Sequence, residues 1–310
     1  MQELLVLGSW GPFTVTAYGL CVLAGALAAV AVTLLRSRKS IGISRGLSLC
    51  LAAIISAWLG GRIVYVLVKL EEILVDTEFY GAPFILHPWE GGYTLYGAVL
   101  GCMAGVALYA KCTRQKAGKL FDTLVPGAAL ALCCIRLGEY FTSQGLGHYV
   151  EEEALQVFPF AVLSMDENWQ QPVFLWEAAA ALVIGIVLLV QRKPLREGAL
   201  GERFLTLLGA TQIFLESHRE DECIRFGFVR FSQVAAIVVI AAVFFKRIRA
   251  RVKAHGWRAG ETVRVLIFLL AVVLCILIEF ALDKSSIDNH LLYVIMFLAL
   301  IALSAAVLKE

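Results

Sequence analysis

Two arginines lie inside long apolar stretches of this sequence. Arg62 lies in the run ISAWLGGRIVYVLV, and Arg136 lies in ALALCCIRLGEYF. Taken alone, each arginine could snorkel to the lipid headgroups without any further role. A charge inside an apolar span is costly, however, and a guanidinium binds phosphate through paired, charge-assisted hydrogen bonds. The two arginines therefore indicate a site for a phosphate-bearing, anionic lipid headgroup.

Further polar residues lie at the same depth of other apolar stretches. A tyrosine at such a position is, by itself, typical of the aromatic belt at a membrane interface. A carboxylate is harder to explain in this way, because its short side chain cannot extend far toward the headgroups, so it is expected to pair with an arginine or to face a ligand. The residues that converge on this level are Tyr18, Tyr96, Glu139, Glu177 and Glu216, with Arg219 and Gln233 beside them.

These side chains must be positioned by helices that cross a membrane. The 310 residues are 60% apolar and 17% charged, which excludes an ordinary soluble domain, a disordered chain and a disulfide scaffold. The apolar runs do not alternate as barrel strands do, so an all-α polytopic membrane protein is predicted. The sixth run is short and is expected to begin inside the preceding loop. The nine predicted spans are 12–35, 47–69, 92–110, 120–141, 172–190, 204–216, 228–245, 263–282 and 290–308.

The basic residues predict the orientation of these spans. Of the 27 Lys and Arg, 20 lie in alternate loops and in the C-terminal tail, whereas the opposite loops 70–91 and 143–171 are acidic and contain none. By the positive-inside rule, the N-terminus is predicted to lie outside and the C-terminus in the cytoplasm. The first run is longer than a signal-peptide core and has no basic segment ahead of it, so it is expected to be retained. The basic loops are 36–46, 111–119, 191–203 and 246–264.

Read in order, these segments resemble the bacterial prolipoprotein diacylglyceryl transferase family. The resemblance runs from about residue 7 to residue 245. It implies a seven-helix transferase-like membrane domain over 1–245, a basic cytoplasmic linker over 246–262 and two additional transmembrane helices over 263–310. The motifs that carry it are LGSWGPFTVTAYGL, GGRIVYVL, WEGGYTLYGAVLG, FDTLVPGAALALCCIRLGEYF, QPVFLWEA and FLESHREDE.

The resemblance also implies an activity. Members of this family move the diacylglyceryl group of phosphatidylglycerol onto the lipobox cysteine thiol of a preprolipoprotein, in the bacterial cytoplasmic membrane. The implied partners are therefore the membrane lipid and the signal peptide that carries the lipobox, and neither nucleic acid nor a cofactor or metal is implied.

The same resemblance assigns roles to individual residues. Arg136, Tyr96 and Tyr18 are implied as catalytic: Arg136 binds and polarises the phosphate, Tyr96 takes the place of the family's histidine base, and Tyr18 orients the headgroup. Arg62 is implied to support the phosphate. The other implied substrate-binding residues are Gly138, Glu139, Glu177, Glu216, Arg219 and Gln233.

The sequence departs from the family pattern close to these residues. The signature Arg-Ile-Gly-Asn-Phe-x-Asn-x-Glu begins here at Arg136, with Glu139, Thr142 and Gln144 in place of two asparagines and a glutamate. Gln212 stands in place of a second arginine. A carboxylate one turn from Arg136 is expected to oppose a phosphate. Alternatives to the transferase therefore stay open: a transferase with another lipid donor or acceptor, a non-catalytic relative that binds anionic lipid or a lipoprotein partner, and a transporter, although inverted repeats are not evident.

Overall fold

A computed structural model of the chain describes most of its residues. Three acidic residues of the predicted outer loop 70–91, together with the tryptophan of the third motif and one acidic residue of the loop 143–171, lie outside the described residues: Asp76, Glu78, Glu90, Trp89 and Asp166. The described residues are 5–10, 13–75, 91–142, 144–164, 167–191, 196–220, 225–226, 229–284 and 287–309.

The described chain is built from helices, as predicted. Three short antiparallel strand pairs are added to them: β1 (Val6–Trp10) with β2 (Phe13–Thr16), β3 (Val162–Leu163) with β4 (Trp169–Gln170), and β5 (Arg225–Phe226) with β6 (Val229–Arg230). The helices are α1 (Ala17–Ser37), α2 (Ile43–Val68), the short α3 (Leu70–Val75), α4 (Leu95–Thr113), α5 (Ala117–Gly138), α6 (Val173–Val190), α7 (Ala199–Glu216), α8 (Phe231–His255), α9 (Ala259–Lys284) and α10 (Asn289–Leu308).

Eight helices within the described ranges are long and apolar enough to cross a membrane, and α7 is the predicted span that does not meet this criterion. It begins at Ala199, inside the predicted loop 191–203, as expected for the short sixth run. It carries Glu202, Arg203 and Glu216, yet 13 of its 18 residues are buried. Helix α7 contacts protein on most of its surface, so its polar side chains have partners within the protein. It therefore needs fewer apolar residues than a helix that faces lipid.

Helices α1 and α5 pack antiparallel at close range. Gly138, at the end of α5, lies so near the start of α1 that a Cβ there would be 2.8 Å from Cys21 and 3.1 Å from Tyr18. Gly127, three turns earlier, lies equally close to Ala29. Small residues allow helix backbones to approach in this way. The contact brings the end of α5, where Arg136 lies, beside the beginning of α1.

The segment predicted as a basic linker, 246–262, contains the end of one helix and the beginning of the next. Helix α8 continues to His255 and α9 begins at Ala259, so most of the segment predicted as a linker over 246–262 is helical. The segment 246–255 contains no glycine or proline to end the helix, and Arg247 is buried against Glu202, 3.4 Å away. Helices α9 and α10 share one apolar core with α7 and α8.

Candidate active site

Arg136 lies at the centre of the predicted site, in the last turn of α5, and is only 8% exposed. The chain continues directly into a 3₁₀ turn, Glu139–Thr142, which brings the Glu139 carboxylate back over Arg136. Arg136 Nη1 lies 2.5 Å from Glu139 Oε1, and Arg136 Nε lies 3.2 Å from Glu177 Oε2 on α6. Each carboxylate supplies a counter-charge, without which burial of the guanidinium would be strongly unfavourable.

The ion pairs continue from Glu177 toward α7. Glu177 Oε2 also accepts a hydrogen bond from Arg219 Nη1 at 3.2 Å. Gln212 Nε2 lies 2.8 Å from Glu177 Oε1 and 2.8 Å from Glu216 Oε2, so its two N–H groups join the two carboxylates. Arg230, at the start of α8, extends the chain of contacts with Nη1 3.6 Å from Glu216 Oε1.

These side chains form one arginine–glutamate network. It consists of three arginines, three glutamates and the neutral Gln212, so its formal charge is zero. Carboxylates beside a guanidinium oppose the approach of a phosphate, so such a neutral site attracts an anion less than a site with excess positive charge does. Among the described residues, no group of three or more His, Cys, Asp or Glu could hold a metal ion. The members of the network are Arg136, Arg219, Arg230, Glu139, Glu177, Glu216 and Gln212.

A small pocket opens between α5, α6 and α7 beside this network. Its polar lining is formed by Arg136, Glu177, Gln212 and Thr211, and its remaining lining is aliphatic. Arg136 Nη2 makes no hydrogen bond with any residue in the described part of the chain, so its two N–H donors are available to a ligand. The pocket has a volume of only about 10 Å³, so it marks the place where a buried guanidinium meets aliphatic side chains and does not itself enclose a lipid.

The two predicted catalytic tyrosines lie on different helices and interact with different carboxylates of the network. Tyr96, in the first turn of α4, is 4% exposed, and its hydroxyl makes no hydrogen bond with the described residues. It interacts electrostatically with Glu216, Arg136 and Glu177. Tyr18, in the first turn of α1, is half-buried and interacts electrostatically with Glu139 and Arg136. Both phenols thus lie within the electrostatic field of the network.

Arg62 has a different environment. Its Nη1 donates to the carbonyl oxygens of Gly91 and Gly92, and its guanidinium lies 6.0 Å from the ring centroid of Tyr65 and 5.8 Å from that of Tyr93. These contacts hold the segment that leads into α4 against the end of α2. The structure therefore gives Arg62 a direct part in positioning the helix that carries Tyr96.

Gln233, the last predicted site residue, is buried on α8. Its Nε2 donates to the Ile213 carbonyl at 3.3 Å and to Glu279 Oε1 at 2.6 Å, and its Oε1 accepts from the Arg230 N–H at 3.0 Å. Both of its N–H donors and its carbonyl oxygen are therefore engaged by protein.

One member of the network and one residue beside it were not predicted from the sequence. Arg230 pairs with Glu216, and the only available signal was an arginine three residues before Gln233 at the start of a span. His218 lies between Phe214 and Tyr293, and burial lowers its pKa to about 4. A lone histidine in a polar loop carries no sequence signal of such burial.

The chain is similar in sequence to proteins of a known family. A family model described as prolipoprotein diacylglyceryl transferase matches residues 5–248. A protein of Bacillus velezensis is 28% identical over 254 residues, which cover 79% of this chain and 92% of the relative. A Streptococcus pneumoniae protein is 27% identical, covering 74% and 87%, and one from Clostridium novyi is 28% identical, covering 60% and 74%. All three are named phosphatidylglycerol–prolipoprotein diacylglyceryl transferase.

Proposed function

We propose that this chain, which belongs to the prolipoprotein diacylglyceryl transferase family, transfers the diacylglyceryl group of phosphatidylglycerol to the lipobox cysteine of a preprolipoprotein. The observation that carries this proposal is Arg136, buried beside a small pocket with polar and aliphatic walls, with Nη2 unused by the described residues. Its setting in a multi-pass helical protein supports a lipid substrate, and the family supports the bacterial cytoplasmic membrane as the location.

The reaction requires stabilisation of a leaving phosphate. The cysteine sulfur forms a C–S bond to the carbon of the diacylglyceryl unit that bears the phosphate, and the C–O bond at that carbon breaks. Glycerol phosphate leaves with the electron pair of that bond, and the thiol proton passes to a base. Negative charge grows on the departing oxygen, and donors already oriented in a dry site stabilise it strongly. Arg136 is assigned this role, through the donors that it does not use within the protein.

The tyrosines are assigned to orientation and proton transfer. Tyr96 has a buried hydroxyl with no partner among the described residues, at the position where the resemblance implies a base. Its hydroxyl can accept a hydrogen bond from the thiol and pass a proton toward Glu216, with which it interacts. Tyr18, near Glu139 and Arg136, is assigned to the glycerol headgroup, for which a phenol is a suitable hydrogen-bonding partner.

The remaining predicted residues are assigned to the shape and charge of the site. Glu177, Glu216 and Arg219 hold Arg136 in place and set the charge around it. Gly138 allows Tyr18 to approach α5. Arg62 acts on the site through its hold on the segment before Tyr96.

A second candidate function is favoured by the balance of charge. Each arginine of the network is paired with a carboxylate, and Gln212 occupies the position where the family pattern has a second arginine. A site of this kind suits a relative that binds phospholipid or a lipoprotein without transferring the diacylglyceryl group.

A transfer assay separates the two candidates. Purified protein is given labelled phosphatidylglycerol and a lipobox peptide, and Arg136→Ala and Arg136→Lys are compared with Arg249→Ala, which changes an exposed arginine of α8. The transferase is expected to label the peptide, to keep this activity in Arg249→Ala, and to lose at least about a hundredfold in both Arg136 variants, since a lysine cannot reproduce the planar fork.

Two other outcomes of this assay would contradict the transferase activity or the role of Arg136. Lipid binding that depends on Arg136, without any peptide labelling, would support the non-catalytic relative. Labelling that persists in both Arg136 variants would exclude the assigned role of Arg136. Size-exclusion profiles of the solubilised variants show whether a loss of activity reflects a loss of fold.

A further inference from the structure

Helix α9 lies outside the part of the chain that matches the family and contacts a residue beside the network. The family match ends at residue 248, whereas α9 begins at Ala259. Glu279, near the end of α9, accepts a hydrogen bond of 2.6 Å from Gln233 Nε2. Gln233 is only 1% exposed, and the second N–H of its amide donates to the Ile213 carbonyl on α7. Glu279 therefore helps to fix the orientation of a buried amide between α7, α8 and α9.

Gln233 in turn fixes the residue that begins α8. Its Oε1 accepts the backbone N–H of Arg230 at 3.0 Å, which holds the first turn of the helix in place. The Arg230 side chain then contacts Glu216 and donates from Nη2 to the carbonyl oxygen of Arg219. A continuous series of contacts thus leads from α9 to two arginines of the network.

Helix α10 reaches the same region from its first turns. The Tyr293 ring stacks on His218, with centroids 4.0 Å apart and an interplanar angle of 26°. Its hydroxyl lies 3.4 Å from the Ser217 carbonyl oxygen. His218 and Ser217 immediately precede Arg219, whose guanidinium binds Glu177. The ring of α10 therefore packs against the turn that presents Arg219.

We infer that α9 and α10 are positioning elements of the active site, through Glu279 acting on Arg230 and Tyr293 acting on Arg219. This inference rests on the proposed function and adds that residues beyond the family match set the geometry of its phosphate site. Their effect is indirect, because neither side chain lines the pocket. Glu279 contacts Gln233, and Tyr293 contacts the turn before Arg219. Small displacements of catalytic groups cost large factors in rate.

The test uses conservative and disruptive variants of Glu279 in the full chain. Glu279→Gln keeps a carbonyl oxygen that can accept from Gln233, whereas Glu279→Leu removes it. Asp283→Leu, one turn further along α9, is the matched control, since Asp283 is bound to the neighbouring Lys284. We expect Glu279→Leu to lower kcat about tenfold or more with a smaller change in KM, and Glu279→Gln and Asp283→Leu to stay within about twofold of the parent chain.

Each outcome has a defined meaning. A parent chain that transfers no diacylglyceryl group rejects the proposed function. An active parent chain with an equally active Glu279→Leu rejects the inference, as does a Glu279→Gln that fails to rescue kcat. Equal thermal midpoints of Glu279→Leu and Asp283→Leu separate positioning from a general loss of stability. For α10, Tyr293→Phe is expected to retain the activity that Tyr293→Leu loses, with the exposed Val294→Ala as control.

Discussion

At the residue scale, Glu139 acts as an internal counter-ion for Arg136. The two groups are both nearly buried and lie 2.5 Å apart. A buried guanidinium without a partner would carry a large desolvation penalty, so Glu139 stabilises the site when no lipid is present. A phosphate that approaches Arg136 must then compete with a carboxylate already in place. The asparagine of the family pattern would not compete in this way, because an amide has no charge.

Replacing Glu139 with asparagine is expected to strengthen the binding of anionic lipid. In Glu139→Asn, Arg136 keeps Glu177 as its partner but loses one competing charge, so its affinity for phosphatidylglycerol should rise by about tenfold. The measurement is binding of labelled phosphatidylglycerol to protein in nanodiscs of neutral lipid. Glu197→Gln, which removes a carboxylate paired with Lys116 at an exposed position, serves as the control. Unchanged or weaker binding in Glu139→Asn would contradict this account of the pair.

His218 is expected to make stability depend on pH. Burial lowers its pKa from about 6.5 to about 4. At a pH between these two values, His218 is protonated in the unfolded chain and neutral in the folded chain. Its contribution to stability is therefore complete above pH 6.5 and is lost as the pH falls toward 4, by at most about 3 kcal/mol. Thermal midpoints at pH 7 and pH 5 should differ less in His218→Phe than in the parent chain. An equal difference in both proteins would show that His218 does not titrate as described.

At the element scale, the helices follow from the sequence where lipid surrounds them. Long apolar runs predict the eight helices that meet the criteria for crossing a membrane, since hydrocarbon leaves the backbone no other partner. Helix α7 is harder to recognise because protein buries Glu202 and Glu216, so its sequence needs fewer apolar residues. The predicted linker over 246–262 is largely helical for a related reason. Basic residues indicate the membrane boundary, but they do not end a helix, and α8 continues past them to His255.

The contact between α2 and α4 is expected to tolerate no added methyl group at Gly101. A Cβ there would lie 2.2 Å from the Ser56 carbonyl oxygen and 2.8 Å from Gly60 Cα, and backbone atoms cannot move aside as a side chain can. We expect Gly101→Ala to destabilise the protein by about 1–3 kcal/mol. It should also lower activity, because α4 carries Tyr96. Thermal unfolding in detergent is the measurement.

Gly185 on α6 provides the matched control for that substitution. A Cβ there would lie 3.3 Å from Leu130 Cδ2, the end of a flexible side chain. Gly185→Ala is therefore expected to change the thermal midpoint far less. If both variants unfold at the same temperature, the close approach of α2 and α4 does not limit the stability of the bundle.

At the scale of the whole molecule, the sequence predicts a common level for the site residues but not the contacts between them. Polar residues that occur near alternate ends of successive helices must meet at one end of an antiparallel bundle, which is how Arg136 and Glu177 could be grouped. The sequence alone does not reveal which carboxylate pairs with which arginine. The pairing depends on how α7 and α8 are rotated about their axes relative to α6. The contact of Arg230 with Glu216 and that of Glu279 with Gln233 were therefore not predicted.

The orientation of the whole chain remains a prediction that labelling can test. Nine crossings, α7 included, would place the two termini on opposite sides of the membrane, and the basic loops predict that the N-terminus is outside. In a chain whose native cysteines are replaced by alanine, Val15→Cys and Lys309→Cys introduce one exposed thiol before α1 and one after α10. An impermeant maleimide applied to intact spheroplasts is expected to modify the first, and the second only after permeabilisation. Modification of both in intact spheroplasts would mean an even number of crossings, with α7 the helix that does not cross.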